Sequence, residues 1–73
     1  MDNPSLYARL ARSLREQIKD GVYKPGTPLP SIEGIRLLTG YSRQTVGKAL
    51  RLLESEGIIT RVLGHCYYVE EPD

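Results

Sequence analysis

In "RLLTGYSRQTV", residues 36–46, a glycine at position 40 stands only two positions before a serine suited to begin a helix. Glycine readily adopts the left-handed backbone that closes helices, and a serine side chain satisfies free amides at a helix start. A stop and a start this close make two helices that share one tight turn. Every other segment of the chain has to pack around that pair.

The remaining punctuation supplies those segments. Asn3-Pro4 reads as a helix start, because Asn caps and Pro suits the first helical position, where its missing N–H is not needed. Leu6, Leu10, Leu14 and Ile18 follow at four-residue spacing and make one apolar stripe, while Arg9, Arg12, Arg15, Glu16 and Lys19 point elsewhere. Gly21 ends this helix. "YKPGTPLP" then holds three prolines and a Pro-Gly turn, so residues 24–30 form an ordered connector. Ser31 caps a second, short helix, to which Ile35, Leu37 and Leu38 are expected to bring apolar contacts before Gly40 stops it. Ser42 caps a third, striped by Val46, Ala49, Leu50 and Leu53 and ended by Gly57. "IITRV", "LGHC" and "YYV" read as two strands around a glycine-containing turn. The expected fold is α+β and mainly α, with helices at about 4–20, 31–39 and 42–56 and a β-hairpin over 58–69. All 73 residues fall in a single domain, 1–73.

Composition narrows the function classes. With 40% hydrophobic and 26% charged residues, the chain has the balance of an ordinary soluble globule. No apolar run approaches the roughly 20 residues that cross a bilayer, and the first residues carry no basic-then-apolar signal. The lone Cys66 has no internal partner, which suits a reducing, cytoplasmic setting. Net charge is only +1, but it is unevenly spread. Residues 25–52 carry Arg36, Arg43, Lys48 and Arg51 against Glu33 alone, whereas residues 53–73 carry Arg61 against five acids. A basic middle of this kind is compatible with a local patch that faces phosphates.

Two short helices joined by a glycine-containing turn form a helix-turn-helix unit, whose second helix can lie in the major groove of DNA. The stripe from Val46 to Leu53 fixes the buried side of the third helix. At about 100° per residue, Gln44, Gly47, Lys48 and Arg51 fall opposite it, and the first turn is expected to expose Arg43 and Thr45. Arg and Gln can pair two-pronged with guanine or adenine edges, while Ser and Thr suit phosphate oxygens. The hairpin has the position and size of a wing. Any one of these residues could equally belong to a cap or a solvated face; the order of helix, turn, polar-headed helix and hairpin carries the functional reading.

From Leu6 to Val69 the chain resembles the winged-helix DNA-binding domain of the GntR (gluconate-repressor) family of bacterial transcription regulators. The resemblance is carried by "LYARLARSLREQIKDGVYKPGTPLPS", "YSRQTVGKALRLLESEGII" and the closing Gly64 and "YYV". It implies that Ser31 meets the DNA backbone and that Ser42, Arg43 and Thr45 meet DNA at the head of the recognition helix. It also implies a wing tip at Gly64 entering the minor groove and homodimers on palindromic operators; most members of the family carry a larger C-terminal effector-binding domain, so a chain ending at Asp73 is expected to be either a piece of a longer regulator or a stand-alone module. The expected DNA-binding set is Ser31, Ser42, Arg43, Gln44, Thr45, Lys48, Arg51, Gly64 and His65, with double-stranded DNA as partner and neither cofactor nor metal.

Three positions depart from the family's pattern. Glu33 and Gly47 stand where arginine is common, and Gly64-His65-Cys66 replaces a usual Gly-Arg-Gly. These changes leave open an altered operator, or a winged helix that serves mainly in protein interaction or dimerisation. An enzyme is disfavoured: neighbouring His65 and Cys66 point to opposite faces of a strand, and no cluster supplies the three or four ligands of a metal site. Cys66 reads as a packing residue, with redox sensing as its alternative. Of Tyr67 and Tyr68, one is expected to pack on the helices and the other to face outward.

Overall fold

The computed structural model describes residues 4–62 and 66–70. Helix α1 (Pro4–Lys19) buries Leu10, Ala11 and Leu14, while Tyr7 and Ile18 pack at the margin of the core. Helix α2 (Ile32–Thr39) and helix α3 (Arg43–Ser55) follow, then strands β1 (Ile59–Val62) and β2 (Cys66–Val69). Three helices and an antiparallel two-stranded sheet are the expected winged helix-turn-helix.

Helix α3 is the centre of the core. Val46, Ala49, Leu50 and Leu53 are all 0% exposed, and Leu29, Ile35, Ile59, Tyr67 and Val69 close around them. Each fully buried Val or Leu stabilises by about 1.5–3 kcal/mol relative to exposure. Rotating α3 would expose several at once, so this stripe decides which of its residues face solvent.

The apolar residues of α2 divide differently from expectation. Ile35 is 2% exposed and Ile32 packs against the core, but Leu37 and Leu38 are 72% and 74% exposed. At about 100° per residue, Leu37 lies some 200° from Ile35, on the far side of the helix. Leu38 sits nearer to Ile35 in angle, yet in the final turn it also remains outside the core. An eight-residue helix has a narrow contact stripe, and here Ile32 and Ile35 fill it.

The proline-rich connector does more than link α1 to α2. Leu29 N–H donates to the Tyr67 carbonyl at 2.8 Å, and Val69 N–H donates to the Thr27 carbonyl at 2.9 Å. Residues 27–29 thereby line the free edge of β2, with a bridge between Pro28 and Tyr68. Pro28 and Pro30 have no N–H, and they flank Leu29, whose N–H pairs with β2 and whose side chain is buried. On the other edge β2 pairs with β1 in the register Ile59–Val69, Thr60–Tyr68, Arg61–Tyr67 and Val62–Cys66. Tyr67 is buried and Tyr68 half-buried, so the two do alternate.

Two glycines set the ends of the key helices. Gly40 closes α2 at φ 79°, its N–H donating to the Arg36 carbonyl at 2.8 Å. Gly57, also at φ 79°, follows α3; Gly57 N–H reaches the Glu54 carbonyl and Ile58 N–H reaches that of Leu53. This paired closure turns the chain straight into β1. Arg15 of α1 clasps Glu56 through contacts of 2.8 and 3.0 Å, tying the first helix to the end of the third.

Candidate nucleic-acid interface

Both helices of the turn unit start from a serine cap. Ser31, with extended backbone, accepts from Gly34 N–H at 3.0 Å. Ser42, in the same conformation, accepts from Thr45 N–H at 3.2 Å and donates its own hydroxyl to Thr45 Oγ1 at 2.9 Å. Each cap still leaves first-turn amides that carry the positive end of the helix dipole. The first turn of α3 holds no acid of its own to offset it.

The expected exposure of Thr45 is not found. Its residue is 2% exposed, and its hydroxyl is taken up by the cap. It lies next to Val46 and four residues before Ala49, so the core stripe draws it inward. Arg43, Gln44, Lys48 and Arg51 are exposed, as their position opposite the stripe requires. Gly47, expected on that same face, is buried, and the cover is a side chain of its own helix. A Cβ placed on Gly47 would lie 3.8 and 3.9 Å from the guanidinium nitrogens of Arg51, which folds back over the glycine.

This folded arginine borders a cleft of about 140 Å³ between the start of α2, the middle of α3 and the sheet. Ser31, Arg51 and Arg61 line it, with Cys66 and Tyr67 at its sheet wall. Arg61 was not among the residues expected at the site. Its signal was present in the sequence, since it shares a face of β1 with buried Ile59 and pairs with Tyr67. The missing step was knowing that this face looks towards α2 and α3.

The other cations of α3 take separate places. Lys48 Nζ stands 6.0 Å from the ring centroid of Tyr7 on α1, a cation–π geometry at the helix flank. Arg43 Nη2 donates to Glu33 Oε1 at 3.0 Å across the turn between α2 and α3. Arg36 donates to both oxygens of the same carboxylate, Nε to Oε1 at 3.1 Å and Nη2 to Oε2. The Arg36 hydrogen bond is foremost in holding the Glu33 carboxyl below its ordinary pKa, and Arg43 adds to the effect; Glu33 in turn raises Arg36. The acid that stands where arginine is common is thus paired with two arginines, a contact that the sequence pattern alone does not show. Tyr41, in the turn, is half-buried against the core, with its N–H on Thr39 Oγ1 at 3.3 Å. Gly64 and His65 lie outside the described residues.

The structure therefore assembles Arg43 and Gln44 at the tip of α3, Ser31, Arg51 and Arg61 around the cleft, and Lys48 at the α1 side. Among the described residues no cluster of His, Cys, Asp or Glu could hold a metal ion, and no helix is long and apolar enough to cross a membrane.

Known proteins resemble this chain in sequence and in fold. Residues 6–69 match the family model of bacterial regulatory proteins, gntR family. The chain is 41% identical over 64 residues to the HTH-type transcriptional regulator GgaR of Escherichia coli K12, a match covering 88% of this chain and 26% of that protein. It thus spans about a quarter of the length of that curated relative. Among solved structures, it is similar to YtrA from Sulfolobus acidocaldarius, a GntR-family transcription factor, at 34% identity and TM-score 0.81, covering 92% of this chain and 57% of that one. It is also similar to the AraR DNA-binding domain in complex with operator ORX1, at 28% identity and TM-score 0.83, covering 94% and 81%.

Proposed function

The chain belongs to the gntR family of bacterial regulatory proteins, and from that membership we propose that it is the operator-binding unit of a transcription regulator. Helix α3 enters the major groove with Arg43 and Gln44 towards base edges. Lys48 meets the groove wall. Ser31, Ser42, Arg51 and Arg61 hold phosphates, and the Gly64-His65 tip reaches the minor groove. Thr45 contributes by holding Ser42. The unit works as a homodimer on a palindromic site in the bacterial cytoplasm.

The observation that carries this reading is the orientation of α3. Four wholly buried side chains turn Arg43, Gln44, Lys48 and Arg51 outward together. Amides at the starts of α2 and α3 add positive potential beside them. Gel-shift titration against duplexes with randomised centres, followed by sequencing of the bound fraction, tests it. Arg43→Ala should lower affinity and relax base preference at one position. Arg51→Ala should weaken binding evenly across sequences and reduce the salt slope by about one. Uniform loss in both variants would remove Arg43 from base reading.

The exposed pair Leu37 and Leu38 favours a second reading, in which the winged helix mainly meets another protein. That reading requires duplex binding to be weak and without base preference even at low salt.

A further inference from the structure

We propose that Glu33 is a positioning residue for DNA reading: held by Arg36, it braces the Arg43 guanidinium in the orientation that meets a base. The inference rests on the DNA-binding reading above and assigns a part to the acid that interrupts the basic face.

The carboxylate is placed from its own helix. Arg36 lies one turn beyond Glu33 on α2 and donates to both of its oxygens. Arg43, ten residues after Glu33 at the start of α3, shares Oε1 at 3.0 Å. Ile35 and Val46 are buried in the one core, so α2 and α3 hold these ends of the bridge at a fixed separation. A free arginine has to order its long side chain when it meets a base; a braced one has part of that ordering done before contact.

Bracing leaves enough of the guanidinium available. Arginine carries five N–H donors in a planar fork, and Glu33 takes one of them. The Arg43 side chain remains 73% exposed, so its remaining donors face solvent and can make the two-pronged contact that selects guanine. Meanwhile the acid reduces the charge of the cluster. Arg36, Arg43 and Glu33 together carry +1, where a neutral residue at 33 would leave +2. Indiscriminate attraction to phosphates weakens accordingly. Glu33 therefore acts in two directions: it lowers affinity for arbitrary duplex and raises the preference for the site.

Three single variants of the full chain and one double variant separate these effects in titrations against the randomised duplexes, with the bound fraction sequenced. Glu33→Gln keeps size and removes charge. It should bind random duplex several-fold more tightly with a steeper salt dependence, while preference at the base read by Arg43 falls about tenfold. Glu33→Asp keeps the charge but withdraws the carboxylate, so random binding should stay near the wild-type value and preference at that base should still fall. Arg43→Gln should lose the same preference, and adding Glu33→Gln to it should change that base no further. Thermal midpoints near that of the wild type establish folding, since Glu33 is exposed.

If the wild type selects a site and Glu33→Gln selects it with an unchanged ratio, the brace is refuted and the DNA reading stands. Wild-type behaviour of Glu33→Asp leaves a charge effect alone and also overturns the proposal, as does a preference change at a base that Arg43→Gln leaves untouched. Failure of the wild type to retain any duplex at low salt overturns both.

Discussion

Replacing Gly47 by alanine should stabilise this protein, although the glycine is buried in the middle of its central helix. Burial ordinarily warns that an added methyl will clash. Here the nearest atoms that a Cβ would meet are the Arg51 guanidinium nitrogens, at 3.8 and 3.9 Å, which is ordinary van der Waals contact with the end of a flexible side chain. The steric cost is close to nil. The gain is the difference in helix propensity, about 1 kcal/mol in a helix interior. For a domain of 60–100 residues, 1 kcal/mol moves the melting temperature by about 4–8 °C. Thermal unfolding followed by circular dichroism should therefore place Gly47→Ala several degrees above the wild type. Gly57→Ala is the internal contrast. Open space surrounds that position too, but φ is +79°, and forcing alanine into the left-handed region costs about 1–2 kcal/mol. Opposite shifts for the two variants support the local accounting. A fall in melting temperature for Gly47→Ala would mean that Arg51 cannot move aside, and the view of it as a flexible cover would be wrong.

Two further outcomes follow from the cap and from the acid on α2. Thr45→Val keeps the buried shape and removes the hydroxyl that Ser42 donates to, so stability should drop by about 1 kcal/mol in urea titrations with base preference unchanged. A preference lost at one base would instead put Thr45 itself against DNA. Because Glu33 is held below the ordinary carboxylate range, foremost by Arg36, its favourable interactions are complete above the unfolded pKa and disappear as pH falls through the folded one. Carboxyl carbon shifts of Glu33 in an NMR titration should report that lowered midpoint, and Arg36→Gln should raise it.

Much of this fold is visible in its punctuation and periodicity. Ser31, Gly40, Ser42 and Gly57 act locally, and each sits at a helix boundary of the structure. The α3 stripe is legible because four apolar residues at helical spacing admit one buried side. Leu37 and Leu38 misled because hydrophobicity alone does not say how wide a stripe a short helix can bury. Thr45 misled for the complementary reason: it is polar by composition, yet its angle lies nearer the stripe than the open face, and a cap bond satisfies its hydroxyl. The pairing of residues 27–29 with β2 joins segments about 40 residues apart. Periodicity within either segment holds no record of it. The same holds for Glu33 with Arg43, whose contact depends on the crossing of two helices.

Glu33 and Gly47, the two departures on the helices of the presumed DNA face, become intelligible through the arginines beside them. An arginine at 33 would stand among Arg36 and Arg43, three like charges within one cluster; the acid turns that repulsion into a bridge across the turn. A long side chain such as arginine at 47 would compete for the ground over which Arg51 lies, whereas a single methyl group only touches the guanidinium. The absence of a long side chain lets the guanidinium fold back one helical turn towards Ser31 and the cleft. Positive charge is thus returned to the neighbourhood of position 47 from position 51, on a side chain that can still lift away. The chain keeps a cationic face with a changed set of anchors. An operator recognised by that face should differ from those read by relatives with arginines at both positions, chiefly at the bases nearest Arg43 and Gly47.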